Sequence, residues 1–160
     1  MVNNRALLEQ FYSYLGEAYN QVGNKQACYE AFELALTLNP DNSFILNNYA
    51  YYLTLDKTKL EKAEEMAKKA VDLDPYNNNN LDTYAWALYQ LGKYEEALNW
   101  IKKAYQNGGD SSGVVNEHYG DILYKLVNKE EALSYWKKAK TMKDYSDLLD
   151  KKIKEGKLYE

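Results

Sequence analysis

Two prolines, eight glycines, one cysteine and one histidine are all that this 160-residue chain holds of those four residues. So little Pro and Gly excludes a fold built from many tight hairpin turns. A single cysteine, Cys28, excludes an intrachain disulfide and leaves the redox compartment unread. A single histidine leaves no Ser-His-Asp or Cys-His set to argue for, so the chain reads as no enzyme. A surplus of basic residues is also missing. The net charge is −4 with Lys and Glu interleaved, whereas a nucleic-acid binder needs a basic patch to neutralise phosphates. No apolar run approaches the roughly 20 residues of a membrane-spanning helix, so no membrane insertion is expected of this segment. The opening residues MVNNRALLEQ lack the charged-then-apolar order of an export signal. The reading is a cytoplasmic protein or a fragment of an exported parent. The one glycine cluster, GGDSSG, lacks the lysine and preceding strand of a phosphate loop.

What is present is periodic. Small residues recur at Gly16, Ala50, Ala85 and Gly120, at spacings of 34, 35 and 35. The same period relates Cys28, Ala63, Ala97 and Ala132, and again Ala35, Ala70, Ala104 and Ala139. Such a period marks a stacked array of repeats. Each unit splits into two amphipathic helical patterns. In the third they run over about 78–91, stopping at Gly92, and over about 94–106, stopping at Asn107-Gly108-Gly109. Small residues at 85 and 97 let two helices approach closely, and Ala104 makes room for the next unit. Tyr is abundant, 17 residues, and its flat body and polar tip suit the half-buried positions of a solenoid.

The unit wording resembles the tetratricopeptide repeat family. The first unit carries Tyr12, Leu15-Gly16, Tyr19, Cys28, Phe32, Ala35 and Pro40. The second carries Leu46, Tyr49-Ala50, Leu53, Ala63, Ala67, Ala70 and Pro75. The third reads Leu81, Tyr84-Ala85, Leu88, Ala97, Ile101, Ala104, and the fourth Asn116, Tyr119-Gly120, Leu123, Ala132, Trp136, Ala139. The resemblance implies an all-α, right-handed solenoid of four helix pairs plus a C-terminal capping helix. As a single domain over 1–160, it divides into repeats at about 9–42, 43–77, 78–112 and 113–144. Two departures affect the turns: the third unit replaces its closing proline with GGDSSG, and the second has an extra residue in DKTKL. The linker at 107–113 is expected to let the last unit flex.

The capping helix is expected over about 145–156. Ser146 is its N-cap, Tyr145, Leu149 and Ile153 share one face, and Asp147–Lys151 and Asp150–Lys154 pair along the other. At the other end, helix one is expected to begin almost at Met1 with no polar cap, leaving the first unit's outer face bare. The phrases LNNYAYYL, LDTYAW and EHYGDILYK are similar to C-terminal units of long bacterial cell-envelope proteins of the same repeat family.

In this family the first helix of each unit lines a concave surface that binds extended or helical peptides. Three inward slots follow, at three before, one after and four after the small residue. They give Ser13, Asn47, Asp82 and Glu117; Glu17, Tyr51, Trp86 and Asp121; and Asn20, Thr54, Tyr89 and Tyr124. The expected peptide groove is Asn47, Tyr51, Asp82, Trp86, Tyr89, Glu117, Asp121 and Tyr124. Aromatic and acidic slots disfavour the acidic C-termini that relatives with Lys and Asn there clamp. They favour a protein or peptide partner with apolar or aromatic side chains and some Lys or Arg. The competing reading packs Trp86 and the tyrosines against a neighbouring helix. A second function is self-association through the outer or N-terminal face, so the chain is a monomer or weak dimer. No cofactor is implied. His118 and Asp121, i and i+3, could offer two metal ligands, but a packing or surface histidine is the expectation. Cys28, in a slot that is Ala elsewhere, reads as a small core residue. The Lys/Glu runs read as solvated faces with Glu64–Lys68 and Glu65–Lys69 pairs.

Overall fold

The computed structural model describes residues 4–160. Among them are nine α-helices and no strand. Eight helices form four sequential pairs. These are α1 (Asn4–Gln21) with α2 (Lys25–Leu38), α3 (Ser43–Leu55) with α4 (Leu60–Leu73), α5 (Asn78–Gln90) with α6 (Tyr94–Gln106), and α7 (Gly113–Lys125) with α8 (Lys129–Lys140). A short α9 (Leu149–Glu155) packs on α8. The second helix of each pair meets the first helix of the next, and α3, α5 and α7 also touch in succession. The third unit's two helices fall where its periodicity puts them.

Helix starts follow the sequence. Asn24, Asn42, Asn77, Ser112 and Asn128 each cap a helix by accepting a backbone N–H from its first turn. Each such bond satisfies one of the donors that a helix leaves open at its N-terminus.

The turn inside each pair needs one left-handed residue. Glycine provides it at Gly23 and Gly92, with φ of 75° and 76°. The second unit uses Lys57 and absorbs its extra residue with a second left-handed lysine, Lys59. The fourth uses Val127, at φ 64°. A β-branched residue there costs about 1–2 kcal/mol, and Val127 is 79% exposed, so it recovers little by packing. Val127→Gly is expected to stabilise the fold by about 1 kcal/mol and raise Tm by about 2–4 °C. Differential scanning calorimetry checks this; an unchanged or lower Tm refutes it.

Within each pair, the small residue tracks its partner's size. A Cβ on Gly16 would sit 2.5 Å from the Phe32 ring, and one on Gly120 would sit 2.5 Å from Trp136 Nε1. Ala50 and Ala85 take those places where the second helices carry Ala67 and Ile101 instead, all four fully buried. Cys28 is likewise buried in the core, and burial pushes its thiol up to about 11.

Four expectations are corrected. In place of the expected Glu64–Lys68 and Glu65–Lys69 pairs, the Lys/Glu runs mainly bridge successive units, and Lys68 pairs with Asp72 at 3.5 Å along its own helix. Lys93 pairs with Glu64 at 2.8 Å, Lys69 with Asp41 at 2.8 Å, and Lys62 with Glu33. Each of these pairs links one unit to the next through a long lysine side chain. The 107–113 linker is no hinge. It contains a 3₁₀ turn at Gly109–Ser111; Asn116 Nδ2 donates to the Asp110 and Ser112 carbonyls, and Gly113 N–H donates to Asp144 at 2.8 Å. The capping helix is shorter than expected, Leu149–Glu155, and Leu148 stands at its N-cap without a side-chain bond. Asp150 pairs with Lys140 at 2.6 Å instead of with Lys154. Ser146 Oγ accepts from the Leu148 N–H at 3.2 Å, as a cap of the turn leading into the helix, and also donates to the groove as described below.

The expected start of helix one at Met1 lies outside the described residues; α1 is helical from Asn4. Phe11 is 56% exposed, whereas Ile45, Asn80 and Val115, five residues before the small residue of their own units, are 0%, 3% and 1% exposed. A preceding second helix covers those three and not Phe11.

Candidate peptide-binding groove and its occupant

The inward slots of α3, α5 and α7 converge, and the residues in them are mostly buried. Asp82, Trp86, Tyr89, Glu117 and Asp121 are each less than a tenth exposed; Asn47, Tyr51 and Tyr124 are half-buried. Tyr51, Trp86, Glu117 and Asp121 line a cavity of about 450 Å³, together with His118 and tail residues Ser146, Leu148, Lys152, Tyr159 and Glu160. Asn47, Tyr51 and Asp82 line an adjoining cavity of about 280 Å³ that also takes in Asn48 and Asn79. Tyr89 and Tyr124 line neither; Tyr124 stacks on Trp136 at 5.6 Å. Of the first-unit slots, Glu17 accepts from Asn48 and from the Tyr52 hydroxyl, both at 2.8 Å.

One stack organises the floor. Trp86 lies nearly parallel to His118 at 3.8 Å and to Tyr89 at 4.4 Å. His118 Nδ1 bonds Asp82 at 2.9 Å, tying α7 to α5. His118 thus packs on Trp86 and bonds Asp82. Among the described residues no group of three or more His, Cys, Asp or Glu side chains is placed to hold a metal.

The wall is acidic and already paired. Lys152, 3% exposed, reaches back from α9. Its ammonium donates to Glu117 at 2.8 Å and to both oxygens of Asp121 at 2.9 and 2.7 Å. Ser146 donates to Glu117 from its backbone N–H at 2.7 Å and its hydroxyl at 2.5 Å. Trp136 Nε1 donates to Asp121 at 2.8 Å. At the far end Glu160 accepts from the Tyr89 hydroxyl and from Lys125. Ser146, Lys152 and Glu160 of the chain's own C-terminal segment therefore meet the polar groups of the inward slots, while α9 itself packs on α8.

One lysine serves two carboxylates, and they separate. Burial opposes ionisation of Glu117, but Lys152 and Ser146 outweigh it and hold the carboxyl below its ordinary range. Burial dominates at Asp121 and pushes it up from 3.8 to about 6, against the pull of Lys152 and His118. A raised acid binds its proton more tightly in the native state than in the unfolded one. This group therefore stabilises the fold as pH falls through 6 and costs stability above it. Between pH 7.5 and 5.5 the wild-type Tm is expected to rise more than that of Asp121→Asn. Equal slopes in a paired melting series refute the assignment.

Sequence reasoning missed His118 as the hub and Lys152 as the occupant. His118 stands two before Gly120, the place of Asn48 in the second unit, which also reaches back one unit, to Glu17 at 2.8 Å. Lys152 lies three residues after Leu149, on that helix's apolar face, and its lysine neighbours disguise it as surface.

Comparison with known proteins agrees with this architecture. A family model described as anaphase-promoting complex, cyclosome, subunit 3 matches residues 56–139, more than half of the chain. A tetratricopeptide repeat model matches residues 10–42. The TPR repeat-containing protein PA4667 of Pseudomonas aeruginosa is 28% identical over 109 residues, 68% of this chain but only 18% of its own length. The chain thus spans less than a fifth of that curated relative. The solved structure of Pseudomonas aeruginosa pilF superposes with a TM-score of 0.80 at 22% identity, over 96% of this chain and 69% of that one. The thermophilic TPR protein TTC0263 of Thermus thermophilus gives 0.81 at 22%, over 92% and 80%. At these identities the likeness shows the fold alone. Such folds are protein–protein interaction scaffolds and are typically non-catalytic. By its repeats, its helix pairs and these matches, the chain belongs to the tetratricopeptide repeat family.

Proposed function

We propose that this chain is an interaction scaffold whose concave surface binds a peptide segment carrying apolar or aromatic side chains with Lys or Arg. The observation that supports it best is the composition of the groove. Three successive first helices bring Tyr51, Asp82, Trp86, Glu117 and Asp121 to two adjoining cavities. Asn47 Oδ1 in the second cavity is buried without a hydrogen-bond partner in the chain, an acceptor suited to a peptide N–H. Asn47 and Tyr51 are half-buried, and Tyr51 meets the stack only at its edge, tilted against His118 at 6.4 Å. A pull-down from native lysate is expected to retain a protein on the wild-type chain and lose it on Asn47→Lys/Tyr51→Ala, checked for folding by circular dichroism. If both baits hold the same proteins, the groove is not the site.

A second reading has its own observation. Leu7, Leu8 and Phe11 are exposed on α1 and line a shallow cavity of about 630 Å³ with Asn4, Arg5 and Leu38. This face continues the stacking surface that α2, α4 and α6 cover in later units, and a second copy of the chain is its proposed occupant. Sedimentation over a concentration series is expected to show a dimer that Phe11→Ser removes. A monomer at all concentrations ends this reading.

A further inference from the structure

We propose that residues 146–160 are an intramolecular ligand of the groove, and that a partner enters by displacing them with a helical segment bearing a lysine. This rests on the groove reading above and adds the partner's chemistry and its regulation.

The segment meets the groove as a bound peptide would. It leaves α8 through a stretch, residues 141–148, that is not helical, and re-forms one short helix that packs on α8 and turns Lys152 toward α7. Besides packing on α8, it sends side chains to the inward slots. Leu149 is fully buried, Lys152 lies between Glu117 and Asp121, and Glu160 lies against Tyr89 and Lys125. Leu149, Lys152 and Ile153 stand at i, i+3 and i+4, the spacing of a helix laid into a groove. Charge complements charge: residues 149–160 carry four lysines and three acids, against a wall holding Asp82, Glu117 and Asp121. The anchoring elements are few, and α9 has only seven residues, too short to be stable without them. Such an end element opens at lower cost than the stacked units do.

The tail's tether makes it a strong competitor. A short linker holds it near the groove at an effective concentration on the order of millimolar. A free segment of the same chemistry binds only to the fraction of molecules whose tail is out, and its apparent Kd rises by that factor. Weakening the tail in cis therefore strengthens binding in trans.

The probe is the tail itself, a fluorescent peptide of residues 146–160, titrated by anisotropy into the full-length chain. Two full-length variants loosen the tail by different means. Lys152→Ala removes its cation, and Leu149→Ala removes its apolar anchor and leaves every groove charge in place. Hydrogen exchange of residues 149–155 shows whether the tail is out, and circular dichroism shows whether the stacked helices remain. Leu149→Ala is expected to bind the peptide at least tenfold more tightly than wild type, and Lys152→Ala to follow if folded. A peptide with alanine for its Lys152 is expected to bind none of the three. Rapid exchange of the tail in Leu149→Ala with no gain in peptide binding overturns the proposal. So does binding that ignores the peptide's lysine. In either case the lysate result with Asn47→Lys/Tyr51→Ala stands on its own, and so distinguishes failure of the tail from failure of the groove.

Discussion

Lys152→Met is expected to lower the free energy of unfolding by about 3–5 kcal/mol, the range seen when one partner of a buried ion pair is removed. The physical reason is the wall it leaves behind. Glu117 and Asp121 are almost fully buried, and Lys152 is the ammonium that meets them. Methionine keeps much of the lysine stem's volume, so lost packing contributes little and lost charge contributes most. Chemical denaturation checks the magnitude. A triple variant checks the cause: Lys152→Met with Glu117→Gln and Asp121→Asn removes all three charges while keeping their shapes. It is expected to recover most of the loss, because replacing a whole buried ionic cluster with neutral groups is far milder than breaking it. If the triple variant is no more stable than Lys152→Met, the charge account is wrong and the lysine acts through packing.

The same residue shows what was legible in the sequence. The stacked part of the fold was readable because one period governs it. Gly16, Ala50, Ala85 and Gly120 repeat a packing constraint, and each repetition strengthens the inference. The helix pairs of the third unit fall at the expected residues for that reason. The inward slots came from the family resemblance; Asn47, Tyr51, Asp82, Trp86, Glu117 and Asp121 line the two cavities, whereas Tyr89 and Tyr124 line neither. What covers those slots was not readable. The tail keeps the spacing, since Lys152 stands 35 residues after Glu117 and 31 after Asp121, but no small-residue pattern marks it as a further unit, so its register against the wall was not read. The surface charges failed for a related reason. Glu64 and Lys68 satisfy the i, i+4 rule, but Lys93 in the next unit is an equally near partner, and exposed pairs differ by only tenths of a kcal/mol. Helical propensity cannot rank contacts that close in energy.

Gly120→Ala is the second large effect, a loss of about 1–3 kcal/mol from a single added methyl. Alanine normally favours a helix interior over glycine by about 1 kcal/mol, so the sign itself is diagnostic. The added carbon would meet Trp136 Nε1 at 2.5 Å and the Ala132 carbonyl at 3.0 Å. Trp136 cannot retreat without cost, since it is fully buried, stacks on Tyr124 and donates to Asp121. Moving it also loosens the carboxylate that Lys152 holds, so the clash reaches the groove. The third unit shows the alternative solution, with Ala85 in the small slot and Ile101 in the place of Trp136. In a Trp136→Ile background, Gly120→Ala is therefore expected to be neutral or stabilising, and the double-mutant cycle to give a favourable coupling of about 1–3 kcal/mol. Additive losses would mean that the glycine answers to something other than the tryptophan it faces.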